Sequence, residues 1–383
     1  MIKKLIISSL IVLSLGAAYA SEETGIFTGT MRVLPYDSAF GNRDITTFAG
    51  ANSSYKTGRY VGTVIDYVRL SIRSKLSEVV SIQADPVFSA TGLNSTPIFG
   101  KNVGEQVANG KLFDSQTFDV AKVIFTLQDG YKVSTGLFRA KLTWDYGNYM
   151  AEKNSIMESM FSKATDLGNI LDSGVEINKT FSVSNLTLPV TLQLLNGANP
   201  YYDQNQNIAW LVKVEPELSG IKLNLALFNN LTTNNSRDLR TAVGAEYTSG
   251  PLYLRGEFAA SWQKQARQQQ NGSTSASAFT KDTKKATGYY ALVKYAALSN
   301  VNVQAQYSVL ELNNLAGVAY GSNAKELDSD LAFTAEYVYS PDFVLNATYT
   351  LSNYSRKDSD AKAGNSSEVL DFNRFIIGSR ISF

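Results

Sequence analysis

Apolar and polar residues alternate along most of this chain with a period of two. They do so in runs of about ten residues bounded by Gly, Asn, Asp, Ser and Pro. In Leu252–Trp262, Leu252, Leu254, Phe258, Ala260 and Trp262 share one face; Tyr253, Arg255, Glu257 and Ser261 share the other. Val301–Leu310 sets Val301, Val303, Ala305, Tyr307 and Val309 against Asn302, Gln304, Gln306 and Ser308. Leu331–Tyr339 opposes Leu331, Phe333, Ala335, Tyr337 and Tyr339 to Thr334 and Glu336. That period predicts strands with one apolar and one wetted face. Sixteen such runs can be drawn, from Ile26–Leu34 to Phe372–Phe383, with Ile208–Glu215 and Thr241–Thr248 among them.

The connections are more telling than any single run. Short ones, such as Lys75–Glu78, Asp129–Gly130, Val183–Asn185, Pro216–Gly220 and Ser340–Asp342, alternate with long polar ones, such as Ser89–Gln116, Asn229–Arg240 and Glu311–Asp330. Outer-membrane barrels have short periplasmic turns, long outer loops and an even strand number. The predicted fold class is therefore all-β: a transmembrane antiparallel β-barrel of about 16 strands, with both termini on the periplasmic side. Two positions strain the pattern. Pro189 interrupts Leu186–Leu195, which predicts a bulge or a pairing gap, because a barrel has no free edge. Lys179 falls on the apolar parity, where a basic residue is tolerated near the periplasmic interface.

One connection is unlike the others. Lys141–Gly174 is the longest interval between two strand-like runs, and from Tyr149 to Ala164 its spacing is helical, with Met150, Ile156, Met157, Met160 and Phe161 largely on one side. Long structured insertions are usually functional. This one is expected to fold into the lumen and narrow it, as a constriction loop carrying Asp145, Glu152, Lys153, Glu158, Lys163 and Asp166.

The two ends carry export signals. Lys3 and Lys4, the apolar Leu5–Leu15 and Ala18-Tyr19-Ala20 read as a signal peptide over residues 1–20, leaving a barrel over 21–383. The apolar run is too short to cross a membrane as a helix. The last run ends on Phe383, with Phe375, Ile377 and Ile381 on its parity. An aromatic terminus on an amphipathic last strand resembles the signature of bacterial outer-membrane proteins, which implies an assembly signal at Phe383 for the barrel-assembly machinery.

Composition then narrows the function. Charged residues make up 18% and aromatics 11%, with 21 Tyr and 19 Phe against 3 Trp, which suits a surface meeting lipid at two interfaces. Zero Cys removes disulfides and thiol chemistry, and zero His removes His-based catalysis and imidazole metal ligands. No enzyme, cofactor or metal is expected. The net charge of +1 gives no argument for nucleic acid. The acid pairs Asp328/Asp330 and Asp358/Asp360 match no calcium loop and read as solvated loop charges. A TonB-type transporter is excluded, since about 22 strands and a plug exceed this length.

A pore acts through its width and its field. By parity the inward basic residues are Arg69, Arg73, Lys122, Lys132, Lys213, Lys222, Arg255, Lys294, Arg374 and Arg380; the inward acids are Glu176, Glu215, Glu246, Glu257 and Glu336. Bases outnumber acids two to one, which favours anions. Pairing along the wall, Arg255 with Glu257 for example, would leave it near neutral instead, and the acids of the folded loop could turn the preference cationic.

Gly136-Leu137-Phe138-Arg139, at a strand end, and Ile156-Met157-Glu158-Ser159, in the loop that follows, resemble two short elements of the phosphate-selective porin family. The resemblance covers about twenty-five residues and implies a sixteen-stranded, trimeric outer-membrane barrel. Lys141-Leu142-Thr143-Trp144 departs from the Pro-Phe-Gly-like element usual there, and no basic ladder for phosphate is evident. The expectation is a porin passing small hydrophilic solutes passively, in contact with outer-membrane lipids and lipopolysaccharide. A phosphate or sugar channel and a surface adhesin are the alternatives.

Overall fold

A computed structural model describes residues 25–46, 52–89, 115–144, 170–197, 208–232, 236–265, 282–313, 325–357 and 367–382. Their strands are β1 (Gly25–Thr46), β2 (Asn52–Lys75), β3 (Val80–Ser89), β4 (Ser115–Thr126), β5 (Lys132–Arg139) and β6 (Leu171–Val183). β7 (Leu186–Leu195), β8 (Ala209–Val214), β9 (Glu217–Leu218), β10 (Ile221–Thr232), β11 (Ser236–Ser249) and β12 (Leu252–Gln265) follow. β13 (Asp282–Leu298), β14 (Val301–Asn313), β15 (Lys325–Ser340), β16 (Phe343–Lys357) and β17 (Ser367–Ser382) complete the set. Residues 1–24 and Phe383 lie outside the described part, and with them the signal peptide and the terminal aromatic.

Apart from β8 and β9, which do not pair with each other, strands adjacent in sequence pair antiparallel, and β1 pairs with both β2 and β17. The sheet therefore closes on itself. β8 and β9 both lie between β7 and β10, so the seventeen segments fill a ring of sixteen positions. The expected interruption is where Pro189 sits. The Glu215 N–H donates to the Pro189 carbonyl (2.9 Å) and the Leu223 N–H to the Pro216 carbonyl (2.9 Å), and the ladder lapses across Glu215 and Pro216. Register is the same on either side, Val190 with Val214 and Thr187 with Glu217. Two prolines lacking N–H donors leave a pairing gap without a slip. Glu217 and Leu218, read from sequence as part of a turn, belong to this strand.

The strands are longer than the alternating runs. β1 has 22 residues and β2 has 24, against expected runs of Ile26–Leu34 and Thr63–Ser74. Beyond the apolar belt both faces meet water, so the hydropathy pattern lapses while the backbone ladder goes on pairing. Asp328 and Asp330 show the effect. They were expected in a loop but stand in β15, and Asp330 is buried opposite Ser308 and Ser352. The solvated-loop reading does not hold for Asp330; Asp358 and Asp360 lie outside the described residues.

The polarity is that of a barrel turned inside out. Leu223, Leu225, Leu227, Val243, Phe258, Val293, Val303, Phe333, Leu345 and Ile377 are exposed on the outer face. The intervening Asn224, Glu257, Gln304, Gln306, Thr334, Glu336, Asn346 and Thr348 are buried on the inner one. A soluble sandwich would show the opposite arrangement. Tyr247, Tyr295, Tyr337 and Tyr339 are exposed on the outside toward the short turns, and Tyr289, Tyr307 and Tyr349 farther along the strands. At the short-turn rim the Lys179 ammonium lies 4.3 Å from the Tyr131 ring centre, which gives this basic residue on the apolar parity a local partner.

Candidate functional site

The interior is built around the residues that follow β5. Gly136 stands at φ +134°, and a Cβ there would meet the Ala121 carbonyl oxygen at 2.2 Å; only glycine fits. Its cross-strand partner is Gly174. Past Arg139 the chain leaves the ladder, with the Ala140 N–H donating to the Ile170 carbonyl (2.8 Å) and tying the two ends of the long connection together. Ala140, Leu142, Thr143 and Trp144 are then buried against the inner wall as a strap.

Apolar packing seats this strap. Phe138 and Leu142 share a buried cluster with Leu195, Leu211, Phe228, Tyr290 and Leu310. Ala209, Ala226, Ala242, Ala259 and Ala286, from five consecutive segments of wall, belong to the same cluster. Small side chains let a second layer of chain lie close to the wall. Gly244 completes the seat: a Cβ there would stand 3.1 Å from Trp144 Cζ3 and 2.6 Å from Glu257 Cγ.

Hydrogen bonds fix the strap at each step. The Lys141 N–H donates to Gln193 Oε1 (3.1 Å), Asn224 Nδ2 to the Leu142 carbonyl (3.1 Å), and the Trp144 N–H to Glu257 Oε1 (2.8 Å). Trp144 Nε1 donates to Glu215 Oε1 (2.6 Å). Glu257 also accepts from Asn224 Nδ2 and from the Tyr290 hydroxyl, both at 2.8 Å. From β5 the strap thus reaches across to β12. The remainder of the expected constriction loop, including its helical stretch and Asp145, Glu152, Lys153, Glu158, Lys163 and Asp166, lies outside the described residues.

The charges are paired around this strap. Glu176, buried, takes Lys122 (3.5 Å) and Lys141 (3.0 Å); Glu215 takes Lys213 (3.3 Å) and Lys222 (3.6 Å). Lys294 meets Glu336 at 2.6 Å. Arg255 meets Glu246 across the β11–β12 ladder at 2.6 Å, not Glu257 on its own strand as expected. Glu257 stands instead among the strap, Asn224 and Tyr290. Arg73 and Lys132 are exposed, and no ion pair to either is present among the described residues. Arg380 is half-buried, with no partner for its Nε, in direct register with Arg32 of β1. Arg69 and Arg374 stand opposite Thr30 and Thr350, their side chains outside the described part.

Several inner residues escaped the sequence reading. Asp238 and Arg240, paired at 2.7 Å, belong to the part of β11 that precedes the run Thr241–Thr248. Asp85 is buried and accepts from Gln83 Nε2 (2.7 Å); Asp172, within the expected constriction loop Lys141–Gly174, stands instead in β6, buried and accepting from the Gly197 N–H (2.6 Å). Extending the β11 parity three residues ahead of the run Thr241–Thr248 would have found Asp238 and Arg240. Among the described residues no group of three or more acids is placed to hold a metal.

No protein-family model and no curated protein matches this chain. Solved structures do. The outer membrane channel DcaP of Acinetobacter baumannii aligns with a TM-score of 0.60 at 11% identity, over 95% of this chain and 99% of that one. An anion-selective porin from Comamonas acidovorans gives 0.55 at 12%, over 94% and 99%. OmpT of Vibrio cholerae in a trimer form gives 0.50 at 11%, over 94% and 99%. The chain has the fold of these outer-membrane barrels.

Proposed function

We propose that this protein is an outer-membrane porin, a water-filled channel through which small hydrophilic solutes diffuse passively. The carrying observation is the inverted polarity of a closed ring: apolar and aromatic outside, polar and charged inside, with a strap fixed across the interior. A sixteen-position ring encloses a passage, whereas about eight strands would be filled by their own side chains. Export by the signal peptide over 1–20, assembly through the barrel-assembly machinery, lipid and lipopolysaccharide around the belt, and a homotrimer all belong to this reading.

The finer reading is a modest anion preference. Glu176 and Glu215 are each held by two lysines, while Arg73, Lys132 and Arg380 stand on the inner parity without an ion pair among the described residues. A selective channel for neutral hydroxylated solutes has one observation in its favour. Gln304, Gln306, Thr334, Thr348 and Thr350 make an uncharged polar stretch of inner wall on β14, β15 and β16, with the Thr334 and Thr348 hydroxyls bonded to each other (2.9 Å).

Single-channel recording in a planar bilayer across a KCl gradient tests the proposal. Large ohmic steps with a reversal potential on the anion side are expected. Folded protein that gives no steps overturns the channel and leaves the adhesin. A reversal potential near zero, with flux of a neutral sugar above that of a size-matched anion, favours the neutral-solute channel.

A further inference from the structure

Trp144 makes more contacts than anchoring the strap requires. Its indole lies 5.6 Å from the Lys222 ammonium and 5.6 Å from the Arg255 guanidinium carbon, while its Nε1 donates to Glu215. Glu215 also holds Lys222 and Lys213, and Arg255 is held by Glu246. The ring is itself 6% exposed, seated over Gly244 and hydrogen-bonded through its backbone to Glu257. An aromatic face attracts cations through its quadrupole, so one uncharged side chain organises two positive ones.

We infer that Trp144 is a specificity-determining residue of the channel: it stacks on the Lys222 and Arg255 cations, whose side chains are 36% and 18% exposed, and limits how far their charge reaches into the bore. This rests on the porin reading above and adds that ion preference is set by an uncharged residue. The sign follows from reach. Lys and Arg are long, flexible arms, whereas Glu215 and Glu246 end close to the wall. When the ring is removed, the charge that moves into the bore is positive, and a closer positive charge lowers the barrier for anions.

The test measures reversal potentials of folded, heat-modifiable protein in a KCl gradient. Trp144→Ala is expected to raise the chloride-to-potassium permeability ratio on the order of twofold. Trp144→Phe, which keeps a six-membered aromatic face but loses the pyrrole ring and the Nε1 donor, is expected to stay nearer the parent than Trp144→Ala. Lys222→Gln with Arg255→Gln should abolish the rise in the Ala background, the comparison being with the same pair of substitutions in the Trp144 parent. An Ala variant with the parent's reversal potential overturns the inference. So does a rise of the same size in the triple variant Trp144→Ala, Lys222→Gln, Arg255→Gln; where the Ala variant does not fold, Trp144→Leu, which keeps apolar bulk and lacks the ring faces, is read in its place. Parent protein that never conducts overturns the porin reading instead.

Discussion

Removing the Glu257 carboxylate should unlatch the strap while leaving the ring intact. The side chain sits inside β12, 3% exposed, and accepts three hydrogen bonds at 2.8 Å, from the Trp144 N–H, Asn224 Nδ2 and the Tyr290 hydroxyl. In Glu257→Ala those donors lose this acceptor. A buried donor left unsatisfied costs about 1–3 kcal/mol. Asn224 Nδ2 keeps the Leu142 carbonyl, and Tyr290 has further contacts, so the main loss is at the Trp144 N–H with smaller shares from the others. A net cost of about 3 kcal/mol corresponds to roughly a hundredfold change in the latched-to-unlatched ratio. Acrylamide quenching reads this directly. Trp210 and Trp262 stand on the lipid-facing parity, so both are replaced by Phe and Trp144, buried against the inner wall, is the single protected fluorophore. The variant should lose that protected fraction and show brief current sublevels in single-channel traces. Quenching and traces identical to the parent would refute the latch.

Three further outcomes follow from the wall. Gly136→Ala forces a Cβ into the Ala121 carbonyl at a positive φ and should abolish assembly, read as loss of the heat-modifiable band on electrophoresis. Lys294→Met leaves the buried Glu336 without its cation and should lower the unfolding free energy read from denaturant titration by about 3–5 kcal/mol; the double variant Lys294→Met, Glu336→Gln should recover much of it. Leu225→Arg places a charge on the exposed apolar belt of β10 and should cost about 2–4 kcal/mol in refolding equilibria into vesicles, against little change at the rim for Lys179→Ala.

The strands were legible because lipid imposes a strict alternation: Leu225, Phe258, Tyr307 and Phe333 fall on the outer face as their parity requires. Where lipid ends, that signal ends too, and Asp238, Arg240 and Asp330 disappeared into expected loops although the ladder carries them inside. The Pro189 interruption was readable because a missing donor has the same consequence in any barrel. Partner choice was not. Arg255 goes to Glu246 because antiparallel register places them face to face, which no single strand's sequence records. The strap was foreseeable only as an unusual length of chain; what fixes it, Gly244 and Glu257 on strands about a hundred residues farther on, is a product of closure.

The pairing of β1 with β17 has a consequence for how the chain is made. Gly25–Thr46 waits for a partner made more than 300 residues later, Ser367–Ser382. Until then the growing sheet ends in two raw edges, each a row of unpaired amides able to template another chain. The nascent polypeptide therefore needs a chaperone holding it through nearly its whole length. A product truncated before β17 has lost its only means of self-capping, which turns a late stop codon into a source of aggregates rather than of smaller channels.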